Sequence, residues 1–144
     1  MISGVVTGDF QDNDADDTNE LGGFYVQQEM PDTDPITSDG IFVFDGNSPA
    51  TDVSVGDRVT VQGTVNEYFG ETQITAPTVT VVGSGTIQAT DVSLPASGTT
   101  SNGDGELIAD FERYEGMLLR FPQTLSISDL RNLERFGAIG LSQG

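Results

Sequence analysis

The sequence predicts an all-β domain of short, strongly curved strands. Val, Thr and Gly are abundant, which favours strands and turns over helices. In the stretch VGDRVTVQGTVNEYFGETQI, Val59, Val61, Val65 and Ile74 alternate with Thr60, Gln62, Thr64, Asn66 and Gln73, the period of two of a strand with one buried face. Gly63 interrupts the apolar side mid-strand, where a glycine marks a bulge or bend that lets a small sheet curl. A long bent hairpin results, with other strands closing around it as a curled barrel or stacking as an open sandwich.

Ile2 to Phe10 forms the first strand, with Gly4 and Gly8 permitting curvature. Residues 11–20, QDNDADDTNE, have almost no apolar content and form a solvated loop. Gly22-Gly23 opens a second strand in which Phe24 and Val26 share one face and Tyr25 and Gln27 the other. Between Met30 and Asp39, Pro31 and Pro35 make another loop. Ile41 to Phe44, apolar on both faces, reads as a central strand. Asn47 to Asp52 connects it to Val55-Gly56-Asp57, the turn that starts the hairpin, and Gly70-Glu71 reverses the chain. Thr72 to Val82 continues as a strand in which Pro77 requires a bulge or an edge position.

These strands assign residues 1–84 to the barrel. The tract from Gly83 to Asp104 reads as a long wrapping loop. Met117, Leu119 and Phe121 alternate with Leu118 and Arg120 in one further strand, Leu125 with Ile127 marks another, and Ser128 to Phe136 could make a turn of helix stopped by Gly137. Residues 85–144 are therefore a loop and a C-terminal β extension packed on the barrel. GVVTGDF and GGFYVQQ are also echoed by GMLLRFP and FGAIGLSQ, so this part could instead open a second, truncated module.

Composition narrows the chemistry. The 144 residues contain no Cys and no His, which removes disulfides, thiolates, the commonest general base and the commonest zinc ligand. No run approaches the roughly 20 apolar residues of a membrane-spanning helix. Met1 runs directly into a strand-like segment, so a longer parent chain is expected and a missing leader does not speak against secretion. Twenty-three acidic residues face five arginines and no lysine, a formal net charge of −18. Such a surface repels a phosphate backbone unless arginines cluster or divalent cations neutralise it. Adaptation to a salty medium explains the same charge.

Five curved strands with no intervening long helix, split as three strands, a loop and a long hairpin, fit the five-stranded Greek-key barrel known as the OB-fold, with the sandwich as competitor. The segments SDGIFVFDGN, VGDRVTVQGTVNEYFGETQI, ERYEGMLLRFPQTLSISD and RFGAIGLSQG resemble the OB-fold-like region of bacterial secreted nucleases. EGMLLRFPQTLSISD is the more distinctive of them. In that family the region lies upstream of an endonuclease/exonuclease/phosphatase-type catalytic domain whose residues are His, Asp, Glu and Asn. The resemblance implies an extracellular, noncatalytic accessory domain that helps present single-stranded nucleic acid to a neighbouring catalytic domain; the alternative is a structural spacer or interaction domain, stabilised by calcium, with no nucleic-acid binding of its own. Departures are the missing His and an end after LSQG, where the fuller pattern continues.

Strand-binding barrels of this kind stack bases on exposed aromatics and hold phosphates with basic groups. The matching candidates are Tyr25, Gln27, Phe44 or Phe42, Arg58, Gln62, Asn66, Tyr68 and Phe69. Against this, Phe42 and Phe44 also suit a core, and Tyr68-Phe69 could cap the barrel end. For metal, Asp12, Asp14, Asp16, Asp17 and Glu20 offer alternate carboxylates in a loop, the way oxygen ligands reach calcium. The spacing is not that of an EF-hand, and a solvated loop is the competing explanation. Asp32, Asp34 and Asp39, or Asp104 and Glu106, could join such a site, and calcium would lessen the repulsion of nucleic acid. Glu112 and Glu115 fit surface ion pairing better than a catalytic carboxylate pair.

Overall fold

The computed structural model describes residues 1–12, 21–30, 38–93, 99–101, 107–109, 112–129 and 140–143. Five strands, β1 (Ile2–Phe10), β2 (Gly23–Gln27), β3 (Gly40–Phe44), β4 (Asp57–Tyr68) and β5 (Glu71–Ser84), close into a barrel in the order β1-β2-β3-β5-β4. All contacts are antiparallel except β3 with β5, which run parallel from Phe42↔Gln73 to Phe44↔Thr75. Pairing of β1 with β4, from Ile2↔Val61 to Val5↔Arg58, joins the two ends of the sheet and removes the sandwich alternative. Among the described residues there is no α-helix.

The period-two pattern decides what the barrel encloses. Val6, Phe24, Val26, Val43, Val59, Val61 and Ile74 point inward, and Val53 from the connection before β4 joins them. Each such side chain contributes about 1.5–3 kcal/mol when fully buried. Gln11, expected in a solvated loop, is fully buried instead. Its Nε2 donates to Asp45 Oδ2 (2.5 Å) and to the Thr51 carbonyl (2.9 Å), and its Oε1 accepts from the Val53 N–H (2.9 Å). It thus ties the end of β1 to that connection.

The hairpin is bent where Gly63 and Pro77 predict. Register jumps from Gln62↔Thr78 to Thr64↔Thr75, so Ala76 and Pro77 together oppose Gly63. Ala76 takes a left-handed φ of 49°. A Cβ on Gly63 would lie 2.5 Å from Ile74 Cγ2 and 2.7 Å from the Thr75 carbonyl oxygen, so only glycine fits. Beyond the bulge β4 runs past its β1 partner, and residues 62–68 are exposed.

Two compact units divide the chain: Met1–Ala89 with Phe111–Leu118, and Thr90–Asp110 with Leu119–Gly144. In the second, β6 (Thr90–Asp91) pairs in parallel with β9 (Leu119–Arg120). There β7 (Thr99–Ser101) pairs with β8 (Leu107–Ala109), and β10 (Leu125–Asp129) with β11 (Gly140–Gln143). Asp91 and Arg120 form a two-point ion pair at 2.5 and 2.7 Å. The expected wrapping loop therefore holds two short strands, β6 and β7, of two and three residues, too short to show a period in sequence. The strand expected around 117–121 is only Leu119–Arg120. Ser128 and Asp129, the start of the expected helical turn, end β10, and its remainder lies outside the described residues.

Candidate functional site

The alternation that sends Phe24, Val26 and Val43 into the barrel puts Tyr25, Gln27 and Phe42 on the other side of β2 and β3. That side is covered at one end and open at the other, where Phe44 is 41 % exposed. Glu115 to Leu118, which follow a 3₁₀ turn at Glu112–Tyr114, lie against its Gln27–Gly40 end. The Leu118 N–H donates to Gln27 Oε1 at 2.8 Å, and Ser38 Oγ donates to the Glu115 carbonyl. Gly40 and Gly116 meet backbone to backbone, and a Cβ on Gly40 would collide with the Gly116 carbonyl.

A cleft of about 310 Å³ remains beside the contact, lined by Thr7, Gly8, Phe10, Tyr25, Gly116, Met117 and Leu118. Its size is at the lower end of ligand pockets. The Tyr25 ring meets Phe10 edge to face (centroids 6.1 Å apart, 85°) and leans on Phe42 (4.9 Å, 53°). Its hydroxyl donates to Glu71 Oε1 at 3.0 Å. Burial first, then the charge and hydrogen bond of Glu71 and the charge of Glu115, push the phenol up to about 12. Tyr25 is thus a half-buried structural ring with one accessible side, and Gln27, 2 % exposed, is a tether for the covering segment.

The other candidates lie elsewhere. Phe42 is buried, whereas Phe44 is 41 % exposed. Arg58 forms a two-point pair with Glu29, at 2.8 and 2.7 Å, and its hydrogen bonds hold the Glu29 carboxyl below the usual range. A phosphate would have to displace that carboxylate. Gln62, Asn66, Tyr68 and Phe69 share the projecting hairpin, where Asn66 Nδ2 donates to Thr75 Oγ1 at 2.7 Å. Phe69, 94 % exposed, packs edge to face on Tyr68 at 4.6 Å, so the pair stands out from the barrel and does not cap it.

Of the acidic loop, Asp12 is described: its Oδ1 accepts the Gly22 N–H at 2.7 Å and helps close the loop. Asp14, Asp16, Asp17 and Glu20 lie outside the described residues, as do Asp32, Asp34, Asp104 and Glu106. Among the described residues no group of three or more His, Cys, Asp or Glu could hold a metal ion. Sequence reasoning missed Phe10, Glu71, Met117 and Leu118 as parts of the cleft and its surroundings. Alternation tells which side of a strand a residue takes, and nothing in it announces a cover contributed from far along the chain. Compared with known proteins, the chain matches no family model, no curated protein and no solved structure.

Proposed function

We propose that the chain is an OB-fold-like, noncatalytic accessory domain of a secreted nuclease, acting as an interaction barrel that engages a protein surface in preference to a polyanion. The order β1-β2-β3-β5-β4 in a small closed barrel supports the fold assignment. The observation that carries the functional part is the partly covered face. Barrels of this class take nucleic acid on the side of strands 2 and 3, and here residues 115–118 occupy one end of it through Gln27, Ser38 and Gly40. Arg58 is engaged by Glu29, and the net charge of −18 opposes phosphate. The absence of His from the sequence supports placing catalysis on another part of the parent polypeptide. The nuclease context and the extracellular setting rest on the family resemblance.

The test is a titration of fluorescently labelled single-stranded DNA at low salt in EDTA. No saturable binding is expected, and saturable binding there would defeat the preference for protein. Nuclease activity that survives repurification would contradict the noncatalytic role.

The exposed pair at the β4–β5 tip favours a second reading, in which that loop, a known contact region of such barrels, stacks unpaired bases. Calcium held by the loop of Asp12, Asp14, Asp16, Asp17 and Glu20 would then reduce the repulsion. This version requires DNA binding in CaCl₂ that EDTA abolishes. Phe69→Ala should weaken it about 5- to 150-fold, the equivalent of one stacked base.

A further inference from the structure

We infer that the cleft over Tyr25 is a receptor for an arginine side chain of a protein partner. This deepens the interaction-barrel reading and rests on it. Phe10 and Tyr25, edge to face, supply aromatic surface, and Met117 and Leu118 supply an aliphatic wall. None of the seven lining residues carries a charge.

Shape alone would accept many rings, and the surrounding charge selects among them. Glu71 Oε1 lies 3.0 Å from the Tyr25 oxygen, and the carboxylates of Glu71 and Glu115 both act on that phenol. The cleft is therefore apolar in its walls and negative in its field. A nucleotide phosphate is disfavoured there. A cation with a flat face and an apolar stem satisfies both features: guanidinium stacks on aromatic faces, its methylenes run along aliphatic surface, and it sheds water more readily than an ammonium group. The net charge of −18 would steer such a partner toward the domain from a distance.

The experiment uses the full 144-residue chain, labelled with ¹⁵N and titrated with Nα-acetyl-arginine methylamide. The neutral, near-isosteric citrulline compound, spermidine and thymidine monophosphate serve as competing chemistries. Saturable shifts are expected at the amides of Gly8, Tyr25, Gly116 and Leu118 with the arginine probe, with binding of the other three weaker by at least about fivefold. Glu115→Gln should weaken the arginine probe. Leu118→Arg, at a position 40 % exposed and so tolerant of a longer side chain, should block the cleft with its own guanidinium. Equal binding of citrulline would reduce the cleft to an apolar hollow and overturn the inference. So would preference for spermidine or the nucleotide, or no shift at these four amides. Failure here leaves the barrel's indifference to DNA in EDTA untouched, whereas DNA binding in EDTA defeats the wider reading by itself.

Discussion

Tyr25 shows how much one side chain's neighbours decide. Alternation places it opposite Phe24 and Val26, and the structure keeps it there, but Phe10, Phe42 and the Glu71 carboxylate turn a solvent-facing phenol into a packed one. The folded state raises its pKa from 10.0 to about 12, so it favours the protonated phenol. The associated stability is complete below the unfolded value near 10 and is lost as pH climbs from there toward 12. The difference in 295 nm absorbance between the wild type and Tyr25→Phe, followed against pH, should therefore titrate with a midpoint near 12. Thermal melts of the wild type should drop between about pH 10 and 12, and those of Tyr25→Phe should drop less. A difference curve centred near 10 would mean that the ring is free in solution. Gln11 is the opposite case. It opens a run of polar residues, so nothing local marks it as buried, yet it holds three hydrogen bonds that join segments 34 to 42 positions apart.

At the level of the strand, the bulge opposite Gly63 makes the hairpin a barrel component, and two substitutions there should act in different directions. Gly63→Ala forces a Cβ against Ile74 Cγ2 and the Thr75 carbonyl, an overpacking cost of about 1–3 kcal/mol. Ala76→Gly relieves a left-handed backbone worth about 1–2 kcal/mol. It also gives the unfolded chain more freedom, about 0.4–1 kcal/mol, so the net effect is neutral to stabilising. Urea denaturation reads both, and an Ala76→Gly loss as large as that of Gly63→Ala would show that the bulge is not strained as described. This element was legible because its cause is local: a glycine breaking an apolar alternation, and a proline that cannot donate. The hairpin arms, the glycine bend and most of the inward set follow from period and punctuation, but Val65, expected on the buried side, is 65 % exposed because β4 beyond the bulge has run past its β1 partner. The cover at one end of the β2–β3 face does not follow from them, since the Gln27–Leu118 bond spans 91 positions and EGMLL looks the same whether it lies on a barrel or in water.

For the whole molecule, the charge outweighs any single pair. With 23 acidic residues against five arginines, and with Arg58 and Arg120 each already serving a carboxylate, most carboxylates can be relieved only by mobile ions. Closing the barrel draws these charges together, so folding works against repulsion that salt screens. The screening length falls from about 30 Å at 0.01 M to about 10 Å at 0.1 M, a range in which charges on neighbouring strands stop feeling all but their nearest companions. In EDTA, to exclude bound divalent ions, the melting temperature should rise steadily with NaCl, with much of the gain below about 0.2 M. Sodium sulfate and sodium perchlorate distinguish screening from changes in surface solvation. At equal ionic strength below about 0.2 M the three salts should give the same curve, because screening depends on ionic strength, whereas exclusion from the surface ranks sulfate above the others. If the curves separate in that order from the lowest concentrations, or if NaCl leaves the melt unchanged, the excess carboxylates do not set the stability of this barrel.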